Sequence, residues 1–226
     1  AAPVTNGHGA YSYYYRSKPA MVDLDGDGDY DIMIGGNDYF VFWDNQGTAS
    51  APNFTGYTYN DFGLYTNYGR ISPEFVDIDN DGDLDMFVGI NEHYGGGGPA
   101  VYRTNNLGGG GYVYGGIYYF ENIGTASAPN FSNGTLNPFG LDNHDIDLTS
   151  NPTLFDVDGD GDMDMLVGGE SGSFNYFENI GTASAPDFAA PVENPFGLQN
   201  IGYDSDPTFA DIDGDGNIDI IAGNIH

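Results

Sequence analysis

The sequence predicts an all-β fold made of four tandem repeats, and three observations predict it. One acidic ten-residue motif occurs four times along the 226 residues. Each copy runs directly into a short apolar run closed by glycine or asparagine, which is typical of a buried strand. Turns rich in Gly, Pro and Asn separate these runs, and no stretch places its apolar residues with the helical period. Because self-similarity along a chain indicates a repeat architecture, we expect one domain spanning residues 1–226.

The acidic motif has the spacing of a calcium-binding loop. It reads VDLDGDGDYD at residues 22–31, VDIDNDGDLD at 76–85, FDVDGDGDMD at 155–164 and ADIDGDGNID at 210–219. Counted from the first aspartate, carboxylates at positions one, three, five and nine converge on one hard cation if the backbone turns sharply. Glycine at position six permits that turn. The position-six residues are Gly28, Gly82, Gly161 and Gly216. Position seven would contribute its backbone carbonyl, and it is occupied by Asp29, Asp83, Asp162 and Asn217.

Two other interpretations of the motif are weaker. An EF-hand requires a bidentate Glu at position twelve and a following helix. Position twelve is instead apolar, and the following residues predict a strand. The position-twelve residues are Ile34, Val88, Val167 and Ala222. Plain acidic turns would leave unexplained why four copies keep the same register with glycine always at position six.

The charge of the chain limits its partners. Acidic residues number 34 against four Lys and Arg, for a formal net charge of −30. Nineteen of the acidic residues lie in the four loops, and four Ca²⁺ ions would reduce the formal charge by eight, to −22. Without metal the loops should repel themselves apart. Nucleic acids and anionic membrane surfaces are poor partners for such a chain, and no apolar run is long enough to span a membrane.

Further landmarks recur in the same register. The first loop aspartates are spaced by 54, 79 and 55 residues, so the second repeat carries an insertion, which covers residues 91–116. A proline precedes each loop by four residues, as expected in a first or edge strand. An aromatic strand and turn recur at residues 42–54, 119–131 and 176–188, and Phe-Gly-Leu recurs from residues 62, 139 and 196. All-β units of about 55 residues suit the blades of a β-propeller. The predicted blades are residues 19–72, 73–151, 152–206, and 207–226 together with 1–18.

Loops of the pattern D-x-D-x-D-G-x-x-D that run into an apolar strand, with FG signals between them, resemble FG-GAP and VCBS repeats. These repeats build calcium-binding β-propellers, including the integrin α-subunit head, and the likeness covers essentially the whole chain. The resemblance implies about four Ca²⁺ ions held by aspartate side chains. Such propellers commonly have seven blades, whereas this chain has four loops. The implied side-chain ligands are Asp23, Asp25, Asp27 and Asp31; Asp77, Asp79, Asp81 and Asp85; Asp156, Asp158, Asp160 and Asp164; and Asp211, Asp213, Asp215 and Asp219.

The two ends of the sequence are out of phase with the repeat. Residues 1–19 align without gaps onto residues 189–207, and the fourth repeat lacks its aromatic strand. An exposed sheet edge is rarely left open. The missing strand would come from further repeats, from the N-terminal strand around Tyr11, Tyr13 and Tyr15 of the same chain, or from that strand of a neighbouring copy. The last arrangement would build a head-to-tail filament.

Catalysis is not expected. The four histidines lie in glycine-rich or terminal segments without zinc-ligand spacing, and no nucleophile or phosphate-binding motif is present. Most carboxylates lie in the predicted calcium loops. Outside the loops, Glu92, Asp142 and Glu170 are the acids that a glycosidase pair would use. The expected function is therefore structural or adhesive rather than enzymatic.

A carbohydrate-binding propeller is the main alternative. Exposed tyrosine rings beside ordered loops suit polyol ligands. The tyrosines considered are Tyr11, Tyr13, Tyr15, Tyr112, Tyr114, Tyr118 and Tyr119. By contrast Trp43, Phe120 and Phe177 share a repeat position and are expected in the core. In the glycine-rich insertion, Tyr102 and Arg103 are the expected partner contacts, on a possible hairpin arm.

A secreted or cell-surface location is expected. The chain has no cysteine, so disulfides cannot stabilise it. Millimolar Ca²⁺ outside cells suits low-affinity loops of this kind. The sequence begins AAPVT, without Met, as it would after removal of a signal peptide.

Overall fold

The computed structural model describes residues 17–36, 39–65, 70–91, 102–104, 110–112, 115–144, 146 and 149–224. In these ranges the secondary structure consists of antiparallel strands and two short 3₁₀ turns, at Leu141–Asn143 and Pro195–Gly197. The predicted all-β class is therefore confirmed.

Sixteen strands are present in the described ranges, and they form four sheets and one separate hairpin. The first sheet contains β1 (Lys18–Val22), β2 (Asp31–Gly35), β3 (Phe40–Trp43) and β4 (Thr58–Tyr59). The second contains β5 (Ile71–Val76), β6 (Asp85–Asn91), β9 (Gly115–Phe120) and β10 (Thr135–Leu136), and the hairpin of β7 (Tyr102–Thr104) and β8 (Gly110–Tyr112) lies in its insertion. The third contains β11 (Asn151–Phe155), β12 (Asp164–Gly168), β13 (Phe174–Phe177) and β14 (Val192–Glu193), and the fourth contains β15 (Asp206–Ala210) and β16 (Asp219–Gly223).

Each acidic motif connects the first two strands of a sheet. Val22 pairs with Asp31 across the first loop, and the equivalent pairs close the other three. The aspartate at position nine is therefore the first residue of the second strand. The repeated prolines lie in the first strands, which are edge strands in all four sheets. This position suits proline, because an edge strand has backbone groups that need no ladder partner.

Successive sheets pack against one another at a glycine. A Cβ atom on Gly35 would lie 2.0 Å from the carbonyl oxygen of Ile71, and one on Gly89 would lie 1.9 Å from that of Ser150. Gly168 has the same relationship to the fourth sheet, with 2.3 Å to the carbonyl oxygen of Ser205. Only glycine permits this approach of two backbones. A glycine at the same repeat position in the second strand thus joins each of the first three sheets to the next.

The core lies between the sheets. One buried cluster joins the first sheet to the second, where Phe40 and Phe120 meet edge to face at 6.3 Å. A second cluster joins the second sheet to the third. Trp43, Phe120 and Phe177 are all buried, as the shared repeat position predicted.

The fourth sheet differs from the others in its exposure. Met33, Phe87 and Leu166 are fully buried in their sheets, whereas the equivalent Ile221 is 47% exposed. Ile212 is also exposed, although Leu24 and Ile78 at the same repeat position are buried. The expectation that each loop leads into a buried strand is therefore wrong for β16. No third strand pairs with β16 among the described residues, so nothing there covers its apolar face.

The first strands of the four sheets line a common cavity of about 180 Å³. Each repeat contributes the residue before its repeated proline. These residues are Lys18, Ser72, Asn151 and Asp206. An ion pair between Lys18 of β1 and Asp206 of β15 links the first sheet to the fourth. Each of the four sheets thus contributes a residue of its first strand to this cavity.

Some predicted contact residues lie outside this description. Tyr11, Tyr13 and Tyr15 are not among the described residues, and neither are His8, His93, His226 and Glu92. Tyr102 and Arg103 lie on β7, which pairs with β8. None of the helices in the described ranges is long and apolar enough to cross a membrane.

Candidate metal centres

The first aspartate organises each acidic loop. Both oxygens of Asp23 accept backbone hydrogen bonds, from the N–H of Gly26 at 2.9 Å and from that of Gly28 at 3.0 Å. Asp77, Asp156 and Asp211 each accept two backbone N–H groups of their own loops in a similar way. These bonds bend the backbone around the carboxylate, so the following side chains turn inward.

Position six requires glycine for conformational reasons. Gly28, Gly82, Gly161 and Gly216 have φ angles of 94°, 97°, 99° and 87°. Side chains rarely adopt this backbone region, although a Cβ atom would meet nothing within 4 Å at any of the four. The glycine is needed for its φ angle and not for space, as the loop pattern predicted.

Carboxylate oxygens converge in all four loops. In the first three loops the converging residues occupy positions one, three and five, with their ligand atoms all within 4.8 Å of one another. In the fourth loop they occupy positions one, three and nine. The clusters are Asp23, Asp25 and Asp27; Asp77, Asp79 and Asp81; Asp156, Asp158 and Asp160; and Asp211, Asp213 and Asp219.

The aspartate at position nine lies behind the first three clusters. Asp31, Asp85 and Asp164 are buried, and each accepts a backbone N–H from the residue two places after the third strand. For Asp85 this donor is Asn122, at 2.7 Å. Asp219 is exposed, and no such donor is described for it. Asp219 is the position-nine residue that belongs to a carboxylate cluster among the described loops. The role of position nine as a metal ligand in the first three loops stays a prediction.

Burial raises the pKa of the three buried carboxylates at position nine, those of Asp31, Asp85 and Asp164. The pKa of Asp31 is raised to about 6 and that of Asp85 to about 7, chiefly by burial, although the N–H groups of Asn45 and Asn122 oppose the shift. The hydroxyl of Tyr119 donates to Asp85 at 2.9 Å, and that of Tyr176 donates to Asp164 at 2.8 Å. These buried acids favour the presence of compensating positive charge nearby.

Position seven carries the strongest indication of a cation. Asp29, Asp83 and Asp162 each have a buried Oδ1 that accepts no hydrogen bond from the described residues, and so does Asp79 in the second cluster. Burial, followed by the charge of Asp160, raises the pKa of Asp162 to about 6. A buried carboxylate oxygen without a donor is costly unless a cation compensates it. The sequence predicted only a backbone carbonyl at this position, and the carboxylate was missed because side-chain direction cannot be deduced from loop spacing.

The donor set fits a hard divalent cation. The clusters offer only oxygen, without a histidine or cysteine ligand in the described residues. Carboxylate oxygens in flexible loops are the ligands that Ca²⁺ takes, whereas soft metals select nitrogen and sulfur. These acidic clusters can therefore hold metal ions.

An asparagine connects each of the first three loops to the outer turn of its sheet. The side-chain Oδ1 of Asn45 accepts the N–H groups of Gly47 and Asn53, at 3.1 and 2.9 Å. Asn122 and Asn179 do the same in the second and third sheets. Sequence reasoning missed this role, although its signal was present as the asparagine shared by DNQG, ENIG and ENIG.

The FG signal also has a structural role that links neighbouring sheets. Phe62 and Phe139 adopt positive φ angles of 57° and 54°. Their carbonyl oxygens accept the N–H groups of Phe131 and Phe188 in the next repeat, at 2.8 and 2.7 Å. The recurrent turn therefore joins neighbouring sheets by a hydrogen bond, in addition to the glycine contact between their strands.

The tyrosines considered for sugar binding need one correction. Tyr119 is buried, and its hydroxyl is occupied by Asp85, so its ring face is not available to a ligand. Tyr118, one residue away, packs partly buried against the core cluster of the first two sheets. The side chains of Tyr112 and Tyr114 lie outside the described part of the structure.

Repeated sheets whose first hairpins carry oxygen-rich loops define a class of all-β repeat protein. A family model for FG-GAP-like repeats matches residues 23–88 and 156–222, more than half of the chain. The chain therefore belongs to the FG-GAP-like repeat family, as its motifs predicted.

Comparisons with solved structures are more distant. A lectin from Agrocybe aegerita, described as specifically recognising non-reducing terminal N-acetylglucosamine, is 19% identical with a TM-score of 0.47. The match covers 96% of this chain and 49% of the lectin. The Tc holotoxin pore of Photorhabdus luminescens is 17% identical with a TM-score of 0.45, covering 97% of this chain and 8% of the pore chain. This chain thus spans about half the length of the first structure and a small part of the second. No curated protein matches the chain.

Proposed function

We propose that this chain is a non-catalytic, extracellular repeat module of β-propeller type, in which Ca²⁺ orders the first hairpin of every blade. The observation that carries the proposal is the buried Oδ1 of Asp29, Asp83 and Asp162, which lacks a hydrogen-bond donor beside a cluster of converging carboxylates. The arrangement of the first strands around one cavity supports the propeller geometry. The role proposed for the module is structural or adhesive.

Calcium titration by calorimetry tests the metal assignment directly. We expect about four Ca²⁺ ions per chain and weaker binding of Mg²⁺, because Mg²⁺ dehydrates reluctantly and demands strict octahedral geometry. We also expect EDTA to lower the melting temperature strongly, since empty loops leave carboxylates crowded together. An unchanged melting temperature in EDTA would contradict the proposal.

A matched pair of variants separates a specific site from general charge. Asp79→Asn removes one carboxylate of the second cluster, and we expect the calcium stoichiometry to fall by about one. Glu170→Gln removes the same charge from an exposed residue outside the loops and should leave the stoichiometry unchanged. Equal effects of the two variants on the calcium stoichiometry would indicate that Ca²⁺ is attracted by the overall negative charge and is not held at specific sites in the loops.

Self-association is a second candidate, favoured by the exposed apolar face of the fourth sheet. In the first three sheets a third strand with aromatic residues pairs with the second strand. We propose that a strand of the same character, from residues 1–16 of a neighbouring copy, pairs with β16 and covers Ile221. Repetition of this head-to-tail contact would produce a filament.

Light scattering and negative-stain imaging in millimolar Ca²⁺, and again in EDTA, test this assembly. We expect calcium-dependent polymers that disappear when residues 1–16 are deleted. Polymers that persist in the deletion variant, or a monomer under all conditions, would reject the strand-donation model and leave the calcium assignment intact.

The absence of catalysis is part of the proposal. Nearly all described carboxylates with shifted pKa values lie in the loops, where a cation would use them. The high negative charge also makes nucleic acids and anionic membranes poor partners, so we propose extracellular proteins, glycans or further copies of the chain instead. Turnover of a chromogenic glycoside that is lost in Asp142→Asn would overturn the non-catalytic assignment.

A further inference from the structure

The outer part of the first sheet contains a groove of about 320 Å³. It lies beside β3 and β4, and Phe42 lines its apolar side. Its other walls carry hydroxyl, amide and carboxylate groups. The polar lining residues are Asp44, Gln46, Thr55, Thr58 and Asp61.

An exposed tyrosine forms an aromatic surface in this groove. Tyr57 is 39% exposed, and its ring packs on buried Trp43 with the centroids 4.9 Å apart. Tyr59 meets Tyr57 edge to face at 5.2 Å, and Tyr39 meets Tyr59 in the same way at 5.3 Å. This continuous row of rings fixes the orientation of Tyr57 while part of its surface stays open to solvent. Such a rigid ring binds a ligand with little loss of conformational entropy.

The other repeats provide an internal comparison for this groove. Counted from the buried phenylalanine that follows each outer turn, Tyr57 corresponds to Gly134 and Pro191. In the second sheet a Cβ atom at position 134 would lie 2.7 Å from the ring of Phe120, so a side chain there would require that ring to shift. The aromatic surface is therefore specific to the first repeat.

Two polar residues of the groove differ from the other repeats in the same way. Gln46 corresponds to Ile123 and Ile180, which are both exposed apolar residues. Asp61 corresponds to a proline in both other repeats, and its carboxylate accepts the hydroxyl of Thr58 at 3.0 Å. Three positions that are glycine, proline or isoleucine elsewhere thus supply a ring, an amide and a carboxylate to one groove. Blade construction alone does not require this change, because the other two blades form without it.

We propose that this groove binds a neutral pyranose sugar, with its apolar face on the ring of Tyr57. A pyranose has one face of C–H groups and a rim of hydroxyls that both donate and accept hydrogen bonds. One N–H of Gln46 donates to Asp44, and Asp61 accepts the hydroxyl of Thr58. Gln46 therefore has a second N–H and its amide oxygen left for a sugar, and both carboxylates have further acceptor sites. The two carboxylates and the net charge of −30 disfavour uronic and sialic acids. A volume of about 320 Å³ lies at the lower end of the range for small-molecule sites, which suits one or two sugar rings.

The site goes beyond the proposed structural role and does not depend on it. Asp44 nevertheless lies close enough to the first acidic loop to affect it. Burial is the main cause of the raised pKa of Asp25, and the charge of Asp44 is a smaller one. Sugar binding is therefore to be measured at saturating Ca²⁺, with the melting temperature of the same sample as a check of folding.

Glycan-array binding followed by calorimetry with free sugars tests the proposal. The panel contains neutral hexoses and N-acetylhexosamines, with glucuronate and sialic acid as anionic comparisons. We expect binding of at least one neutral sugar, with at least a tenfold loss of affinity in Tyr57→Ala, equivalent to about 1.4 kcal/mol. Tyr203→Ala, which removes a 72% exposed tyrosine far along the chain, should not change the affinity.

A second variant guards against simple misfolding. The double change Gln46→Ile with Asp61→Pro gives the groove the residues that the other repeats carry at these positions. It suits the backbone, because Asn60 has a φ angle of 49°, like the asparagines that precede proline at Asn137 and Asn194, with 46° and 49°. We expect it to fold and to lose sugar binding. A blank array, a preference for the anionic sugars, or full affinity in this double variant would each overturn the proposal.

Discussion

The backbone N–H of Asn122 donates to Oδ1 of Asp85 over 2.7 Å, and this bond ties the second acidic loop to the outer turn of its sheet. The side chain of the same asparagine accepts the N–H groups of Gly124 and Asn130, both at 3.0 Å. One residue therefore positions both the carboxylate behind the second acidic cluster and the turn that follows the third strand. Order in the loop and order in the turn should consequently depend on each other.

Replacing Asn122 with alanine tests this coupling. The variant keeps the backbone bond to Asp85 but leaves two turn N–H groups without their acceptor. We expect the free energy of unfolding at saturating Ca²⁺ to fall by about 2 kcal/mol, because the partly buried N–H groups of Gly124 and Asn130 lose their acceptor. Urea denaturation measures it, with Asn133→Ala as the control on an exposed residue of the same turn region. Equal stability of the two variants would show that the asparagine does not organise the turn.

The glycine contacts between sheets lead to a second prediction. In Gly89→Ala the new Cβ would lie 1.9 Å from the carbonyl oxygen of Ser150, so the second and third sheets must separate. We expect the free energy of unfolding to fall by about 3 kcal/mol, which is at the upper end of the cost of overpacking a core. Gly223→Ala is the matched control, because Gly223 holds the same repeat position in β16 but a Cβ atom there would meet nothing within 4 Å.

For Gly223→Ala we expect a change within about 0.5 kcal/mol, as for surface substitutions. Thermal and urea unfolding of both variants provide the comparison. A similar, large loss in both would mean that the strand itself requires glycine, and the sheet contact would then not be the reason for its recurrence.

Much of this fold follows from local sequence. Three features depend only on residues close together in the chain: the spacing of the loops, the glycine at position six and the proline of each first strand. The sequence therefore predicted the residues that form them. The buried positions of Trp43, Phe120 and Phe177 followed from their shared place in the repeat.

Features that depend on neighbouring sheets were harder to predict. Tyr119 and Phe120 point to opposite faces of one strand, and sequence alone did not determine which neighbours those faces meet. Loop spacing likewise did not reveal that Asp85 faces Asn122, because 37 residues separate them. The groove at Tyr57 could have been found by comparing the repeats position by position, since its residues depart from a pattern that is otherwise kept.

The tyrosine behind the third loop supports a third prediction. The hydroxyl of Tyr176 donates to Oδ2 of Asp164 at 2.8 Å, whereas Phe42 holds the equivalent position in the first sheet. Tyr176→Phe should therefore fold, with a loss of about 1.5 kcal/mol from a hydrogen bond to a charged group. Urea unfolding at saturating Ca²⁺ measures the loss, and Tyr203→Phe controls for removal of an exposed hydroxyl. A loss no larger than in that control would indicate that the hydroxyl bond is energetically neutral.

A last prediction concerns pH and the acid Glu74, which lies on β5, the first strand of the second sheet. Burial raises its pKa from 4.5 to about 7, although the hydroxyl of Thr153, donating to its Oε1 at 3.1 Å, favours the ionised form. Between these two pH values the folded state retains a proton that the unfolded state has released. The contribution of Glu74 to stability is therefore fully present below about pH 4.5 and is lost as the pH rises through about 7.

Glu74→Gln removes this titration and keeps an acceptor for Thr153. We expect the variant to match the parent protein near pH 5 and to exceed its stability by about 2 kcal/mol at pH 8.5, because the parent must then bury an ionised carboxylate. Urea unfolding across this pH range at saturating Ca²⁺ gives the free energy of unfolding of both proteins. The acidic loops titrate equally in both, so their contribution cancels when the two values are subtracted. Glu170→Gln, on an exposed acid, should show no such divergence. If the stabilities of the parent and Glu74→Gln remain parallel from pH 5 to 8.5, Glu74 is ionised in the folded protein throughout, and its surroundings must then supply a positive partner.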